Sequence, residues 1–452
     1  MTERWSEMEG RLEPSRSLEE RLRAHPELQA KIESLLAVVE NAAGDVEKAA
    51  EAERRVTEEL RQLGNEALHG WARRQAQRKE EEVAQQSGVQ RKEKKNVHWL
   101  TRYGQIEVAE QVFRQGTRGP EVRPFTRSAE VVCRGCSEPL QRAIVDFGAD
   151  APAARIPKKL KEHYGIEVCA STCWSIVLQH AQTIDKCPKA AAQIPERDGI
   201  EQLIGEIDGS MIPVVETAES DDQSAKVDRR KTRRVGWREA RLSLVHAPGS
   251  VTPVFGATVG PPEQVGETLL RTAVQAGLGR KTKVHAVSDG AAWIADQVSE
   301  QFGLQGHFLV DFYHVCDYLT AAGNTIAGTA PRAWLETQKD RLKQNRLQDV
   351  VEELQRFVED DTVPDANAPV RAAHRYLTNR PGQFNYQDAL VAGLPIGSGE
   401  IESAHRYVIQ DRLKRAGAWW KLKNAKHMLA LRVCRANQEW DRYWQSRRQQ
   451  AA

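Results

Sequence analysis

Residues 203–215 read LIGEIDGSMIPVV. Leu203, Ile204, Ile207, Ile212, Val214 and Val215 mark an apolar, extended segment, and two carboxylates, Glu206 and Asp208, sit inside it. A charge in an apolar strand is costly unless it is paired or bound to a metal. Alternation along a strand puts Glu206 and Asp208 on one face. Gly209 leaves room for a large group to approach the backbone. The plainer reading is an Asp-Gly hairpin turn, but SMIPVV continues extended and argues against it.

Working outward, REARLSLVHA (238–247) and TPVFGATVG (252–260) read as two further strands. PPEQVGETLLRTAVQAGLG (261–279) reads as an amphipathic helix, with proline at its start and glycine at its end. KVHAVSD (283–289) is a fourth strand, AAWIADQVSEQFG (291–303) a helix and GHFLVDFYH (306–314) a fifth strand. Three strands, helix, strand, helix, strand, helix is the element order of a ribonuclease H-like α/β fold. Beyond Val315 the strand signal stops, and Cys316 to Leu394 reads as charged helix. PIGSG then breaks the chain before a final helix from about Glu400. The expected architecture is a ribonuclease H-like catalytic domain with an all-helical insertion, preceded by helical N-terminal and helix-turn-helix regions.

Three acidic positions stand where regular elements meet glycine: Asp208, Asp289 in VHAVSDGAAW, and Glu400 or Glu402 in LPIGSGEIES. Asp289 ends a strand, where ligands of α/β sheets gather, and an Asp there also caps a following helix. Glu400 and Glu402 are roughly 200° apart around a helix, so only one can readily face a shared site; each would also favour a helix N-terminus. Asp311 and His314, in DFYH, would assist such a site or act as a cap and a packed ring. Carboxylates on separate rigid elements are what Mg²⁺-dependent phosphodiester chemistry requires, because hard oxygen donors hold the ions that clamp attacking and leaving oxygens.

The 452 residues suffice for two to four domains; 28% are charged and 40% hydrophobic, with a net charge of only +2. Basic residues concentrate instead in Lys226–Arg241 and Arg406–Lys426, which would track a phosphate backbone or form a solvated face. No apolar run of membrane-spanning length occurs. The first residues, MTERWSEMEGRLEPS, lack an apolar signal core, and seven scattered cysteines fit a reducing compartment, so a cytoplasmic, nucleoid-associated protein is expected. Residues 1–95 read as a helical arm for oligomerisation or docking, with an irregular coiled coil from Val46 to Gln86. Between Gly104 and Val132 a short β-hairpin is expected. Three helices follow, EPLQRAIVDFG, APAARIPKKLKEHYG ending at Gly165, and CASTCWSIVLQHAQTI capped near Ser171. A basic helix, a glycine turn and a second helix fit a helix-turn-helix or an ordinary three-helix unit. Cys133, Cys136, Cys169 and Cys173 allow a structural Zn²⁺ site, weakened because the second pair falls in an apolar helix.

SDGA around Asp289, DFYHVCDYL from Asp311 and PIGSGEIESAHRYVIQDRLKRAGAWW from Pro395 together resemble bacterial insertion-sequence transposases of the DDE class, Kra-type group, within the Mutator-like superfamily. In that pattern a glycine-serine-glycine, a variable residue and an apolar residue precede the glutamate. An aspartate-arginine pair and a tryptophan follow, here Asp411, Arg412 and Trp420, which makes Glu402 the match and Glu400 the variable position. The resemblance implies that Asp208, Asp289 and Glu402 hold two Mg²⁺ ions, with Mn²⁺ as a substitute. It implies cleavage at the inverted-repeat ends of a mobile element, followed by strand transfer. Double-stranded DNA and a homo-oligomer assembled on it would be the partners. Arg412, Lys414, Arg415, Trp419 and Trp420 would bind DNA backbone and stack on unpaired bases, with core packing the alternative for the tryptophans. The implied division is an arm (1–95), a DNA-binding region (96–190), a catalytic core (198–315), a helical insertion (316–396) and C-terminal helices (397–452). The rivals are a resolvase-like metal nuclease on the same fold and a non-catalytic DNA-binding regulator.

Overall fold

A computed structural model describes residues 17–41, 49–116, 119–129, 131, 135–217, 233–328 and 330–451. The chain divides into two compact units, one up to Val177 and one from Leu178, and the division falls inside helix α7.

The first unit begins with helices α1 (Leu18–Arg23), α2 (Pro26–Asn41) and α3 (Ala49–Ala84). Ser17 and Glu20 form a reciprocal capping box on α1. Strands β1 (Val89–Thr101), β2 (Gly104–Gln115) and β3 (Glu121–Val122) make an antiparallel sheet, followed by α4 (Pro124–Ser128). The helical reading of residues up to 95 is corrected here: Val89 onward is strand. The segment hides its period because its outer half is exposed on both faces, Gln90 to Lys94 being charged or polar throughout. Helix α3 packs on this sheet, so it is no free coiled coil. Its small residues Ala72 and Ala76, one turn apart, let the backbone come close, and Trp99 packs edge-on against Phe125 at 6.0 Å. Helices α5 (Glu138–Asp150), α6 (Ile156–Tyr164) and α7 (Ala170–Asp185) are the three expected. Gly165 ends α6 in the left-handed conformation. Cys169, not Ser171, precedes the first residue of α7; its thiol bonds the Ser171 and Thr172 hydroxyls and is lowered to about 7 by them.

The second unit is an α/β structure around a mixed five-stranded sheet, built from β4 (Gln202–Thr217), β5 (Arg233–His246), β6 (Val254–Thr258), β7 (Lys283–Ser288) and β8 (Gly306–Val310). Their order across the sheet is β6-β5-β4-β7-β8. β4, β5 and β6 pair antiparallel, whereas β4–β7 and β7–β8 are parallel. β7 is buried at every position after Lys283, as a strand covered on both faces must be. Helix α8 (Pro262–Ala276) links β6 to β7 and α9 (Ala292–Phe302) links β7 to β8. β8 is shorter than its sequence signal: it ends at Val310, and DFYH starts helix α10 (Phe312–Ile326) instead.

Helices α11 (Pro331–Lys343), α12 (Leu347–Gln355), α13 (Pro369–Thr378) and α14 (Tyr386–Val391) complete the helical insertion. They share one core with the sheet: Leu342, Val350, Leu354 and Tyr386 lie in the same apolar cluster as Val284 and Leu309. Helix α15 (Gly399–His405) continues through a π-helical turn (Arg406–Gln410) into α16 (Asp411–Leu413). Helices α17 (Leu422–Ala436) and α18 (Trp440–Ala451) follow. Among the described residues no helix is long and apolar enough to cross a membrane.

Candidate active site

Register brings three aspartates into one row. β4 and β7 run in parallel with Glu206 opposite Val287, and β7 and β8 with Ser288 opposite Val310. Counting on along each strand sets Asp208 beside Asp289 and Asp289 beside Asp311. Adjacent strands are about 4.8 Å apart, so the row is compact. The Ser288 hydroxyl donates to the Ile207 carbonyl at 2.6 Å and ties β4 to β7 where their ladder ends.

The three do not serve alike. Asp208 is 36% exposed; its Oδ1 accepts the Gly209 N–H and its Oδ2 lies 3.5 Å from His405 Nε2. Burial pushes its carboxyl up, and the nearby Asp289 and Glu239 charges push the same way, against His405 and the Gly209 N–H. Asp289 is exposed, and its Oδ1 accepts the N–H of Ala291, just before α9. The helical insertion holds this turn from outside. Tyr376 donates its hydroxyl to the Asp289 carbonyl and Arg380 donates to the Gly290 carbonyl, both at 2.6 Å. Gly290 has φ +80°, and a Cβ there would meet the Tyr376 hydroxyl at 2.5 Å, so the turn requires glycine.

Asp311 is buried, and all its acceptor capacity is committed. Oδ1 takes the N–H groups of Tyr313 and His314 as the cap of α10; Oδ2 takes the Ser398 N–H at 2.7 Å and hydroxyl at 2.6 Å. It is a clasp between α10 and the PIGSG loop. That loop is stitched down further by Phe312, whose N–H donates to the Ile396 carbonyl, and by the His285 ring against the Pro395 carbonyl. His314 is half-buried, edge-on to the stacked rings of Tyr318 and Tyr376.

Geometry also separates the two glutamates. Glu400 turns to His246, 3.3 Å from its Nε2. Glu402 faces a cavity of about 600 Å³ whose walls also carry Asp208, Asp289, Asp311, His314 and Asp317. No lysine or arginine is among the described residues that line it. Glu206, although on the same strand face as Asp208, does not line the cavity and is 1% exposed. Its Oε2 accepts the Ile401 N–H at 2.8 Å, anchoring the start of α15 to β4. Burial pushes this carboxyl up to about 8, aided by Glu400 and Asp311 and opposed by backbone donors.

His405 and Asp317 were not singled out from sequence. His405 is 2% exposed; burial lowers it and Asp208 opposes that. The available signal was its place three residues after Glu402, on the same helical face. Among the described residues, no three His, Cys, Asp or Glu side chains are gathered closely enough to hold one metal ion. Asp208, Asp289 and Glu402 thus line one cavity without meeting at a single point. For the zinc reading, Cys133 lies outside the described residues; Cys136 and Cys173 are buried thiols and Cys169 an exposed one.

The five residues expected on DNA divide. Arg412 and Trp420 are 4% exposed and stack on one another at 4.8 Å. Trp420 also extends the sheet. Its N–H donates to the Pro213 carbonyl, its carbonyl accepts the Val215 N–H at 2.7 Å, and its indole donates to the Leu413 carbonyl. That pair is scaffold, whereas Lys414, Arg415 and Trp419 are exposed. The basic segment Lys226–Arg241 is described only from Arg233, where it forms the start of β5.

Residues 278–449 match the description Uncharacterised protein family (UPF0236). Comparison with curated proteins returns no match. The matched stretch holds Asp289, Asp311 and Glu402; Asp208 lies before it.

Proposed function

We propose that this chain is a DDE transposase, which cuts DNA at the ends of a mobile element and joins the freed 3′-hydroxyl to target DNA. The observation that carries this reading is the convergence of Asp208, Asp289 and Glu402, distant in sequence and borne on three elements, on one cavity. The sheet order supports a ribonuclease H-like core: a three-stranded antiparallel meander, with two parallel strands added beside its first strand.

The donor set fits divalent metal by its chemistry. The cavity presents carboxylates and no lysine or arginine among the described residues. Such a surface repels phosphate and attracts cations. Asp208, Asp289 and Glu402 would hold Mg²⁺, which when bound supplies Lewis-acid polarisation of the scissile phosphate. The chain's own residues do the positioning. Glu206 fixes the helix carrying Glu402 to the strand carrying Asp208. Tyr376 and Arg380 fix the Asp289 turn, and His405 stands behind Asp208. Lys414 and Arg415, exposed after α16, would hold the DNA backbone. Asp208→Asn, Asp289→Asn and Glu402→Gln are each expected to abolish nicking of an inverted-repeat end while leaving binding of that end in place. Wild-type nicking by any of the three would remove that residue from the site.

A further inference from the structure

Beyond Asp208, β4 and β5 leave the body of the sheet as a two-stranded ribbon, with Met211 opposite Glu239, Pro213 opposite Trp237 and Val215 opposite Val235. Directly opposed residues share a face. Alternation therefore puts these six on one face and Ile212, Val214 and Glu216 on the other. The second face is closed: Ile212 and Val214 are buried, and Trp420 pairs beside Val214. The first is open. Met211 is 45% exposed, Val235 49% and Trp237 52%. Trp419, one residue before Trp420 and so turned outward by the same alternation, is 58% exposed. Pro213 is buried on the strand between those that carry Trp237 and Trp419, which lie about two strand spacings, roughly 10 Å, apart.

Exposed large apolar groups scattered singly need no explanation, but four gathered by register on one ribbon face do. The surrounding charge says what would cover them. Arg233 and Arg234 lie exposed at the start of β5, and Lys414 and Arg415 lie exposed before Trp419. Among the described residues the one carboxylate on this face is Glu239, paired with Arg241 at 2.6 Å. Two open indoles amid arginine and lysine fit a partner with π-faces and a polyanionic backbone. An apolar protein surface would not need the cations.

We propose that this face is a stacking platform for unpaired bases of a DNA strand. It rests on the transposase reading and deepens it: the platform faces away from the Asp208 side chain, so it would grip a strand beside the cavity, not the phosphate within it.

The test is fluorescence anisotropy of the full chain, in EDTA, with a labelled element-end duplex bearing a short single-stranded thymidine tail and with the same duplex blunt. Trp237→Ala and Trp419→Ala are each expected to weaken binding of the tailed duplex about tenfold and leave the blunt duplex unchanged. Trp237→Phe and Trp419→Phe should retain most of the affinity, which separates stacking from damage to the fold. Unchanged binding of the tailed duplex, or equal loss on both duplexes, overturns the proposal. So does a fall in oligomer mass of the alanine variants by sedimentation, which would make the face a contact between copies of this chain. Cleavage plays no part in the assay. Active Asp208→Asn protein would sink the catalytic reading and leave this result standing, while indifferent tryptophan variants would sink the platform alone.

Discussion

The floor and the rim of the acid-lined cavity are made of the same chemical group put to opposite uses. Asp311 on the floor, and Glu206 buried outside the lining, are almost fully enclosed and bonded to backbone N–H groups of the helices they anchor. On the rim, Asp208, Asp289 and Glu402 are partly or fully exposed and open to one space. A buried carboxylate is tolerable only when its oxygens are committed, and a committed oxygen is not free to bind anything else. Proximity to the site is therefore a poor guide to role. Asp311 is in the row with Asp208 and Asp289, yet its geometry is that of a clasp.

Neutralising the rim should separate the two regions most sharply. Asp208→Asn, Asp289→Asn and Glu402→Gln should each reduce the nicking rate on the order of a thousandfold or more, about 4 kcal/mol of transition-state stabilisation. Their thermal unfolding midpoints should stay at the wild-type value, because none of these side chains is buried in the core. A large fall in midpoint would place that residue on the floor. Asp311→Ala should do the reverse. It strands two helix-cap N–H groups and the Ser398 donors, and by the usual worth of caps and of hydrogen bonds to charged groups it should cost about 3 kcal/mol of stability. Chemical denaturation of the variant measures that cost. A loss of activity with no loss of stability would return Asp311 to the rim.

A buried titratable group remote from the cavity supplies the control. His180 is 2% exposed, with Nδ1 2.7 Å from the Tyr443 hydroxyl and its ring against Trp444 at 4.7 Å. Burial, aided by the Arg447 charge, lowers it from 6.5 to about 4. The folded state then resists a proton that the unfolded chain accepts. Its contribution is present above pH 6.5 and is lost as pH falls through about 4, on the order of 3 kcal/mol in all. Denaturation between those limits should show this loss equally in wild type and in the Asp289→Asn and Glu402→Gln rim variants, and His180→Gln should flatten it. A different acid profile in either of those rim variants would tie the cavity to global stability and blur the contrast.

Much of this arrangement was legible in LIGEIDGSMIPVV and its neighbours, because apolar runs broken by glycine mark strand ends and an acid there is conspicuous. What could not be read was commitment. Nothing in DFYH tells that Asp311 will meet Ser398, 87 positions away. The adjacent tryptophans make the same point. Trp419 and Trp420 are indistinguishable by composition, and only the bridge to Val214 turns one inward and the other out. β1 escaped detection for a different reason: a strand half with no buried face has no period to read. His405 escaped because its partner, Asp208, is supplied by another element.

The smallest effect is the most discriminating. Glu400 and Glu402 are two residues apart on a single helix turn, and residue chemistry alone does not choose between them. Glu400 is 56% exposed and its neighbour, at 3.3 Å, is His246, outside the acid-lined cavity. A half-exposed contact of this kind is worth well under about 1 kcal/mol once solvent screening is counted. Glu400→Gln should therefore nick DNA within about twofold of wild type, a difference of less than about 0.5 kcal/mol. Measured beside Glu402→Gln under the same conditions, it asks whether facing the cavity is what matters. A dead Glu400→Gln with an active Glu402→Gln would mean that the helix turns its other side to the substrate when DNA is bound, and the rim would have to be redrawn around His246.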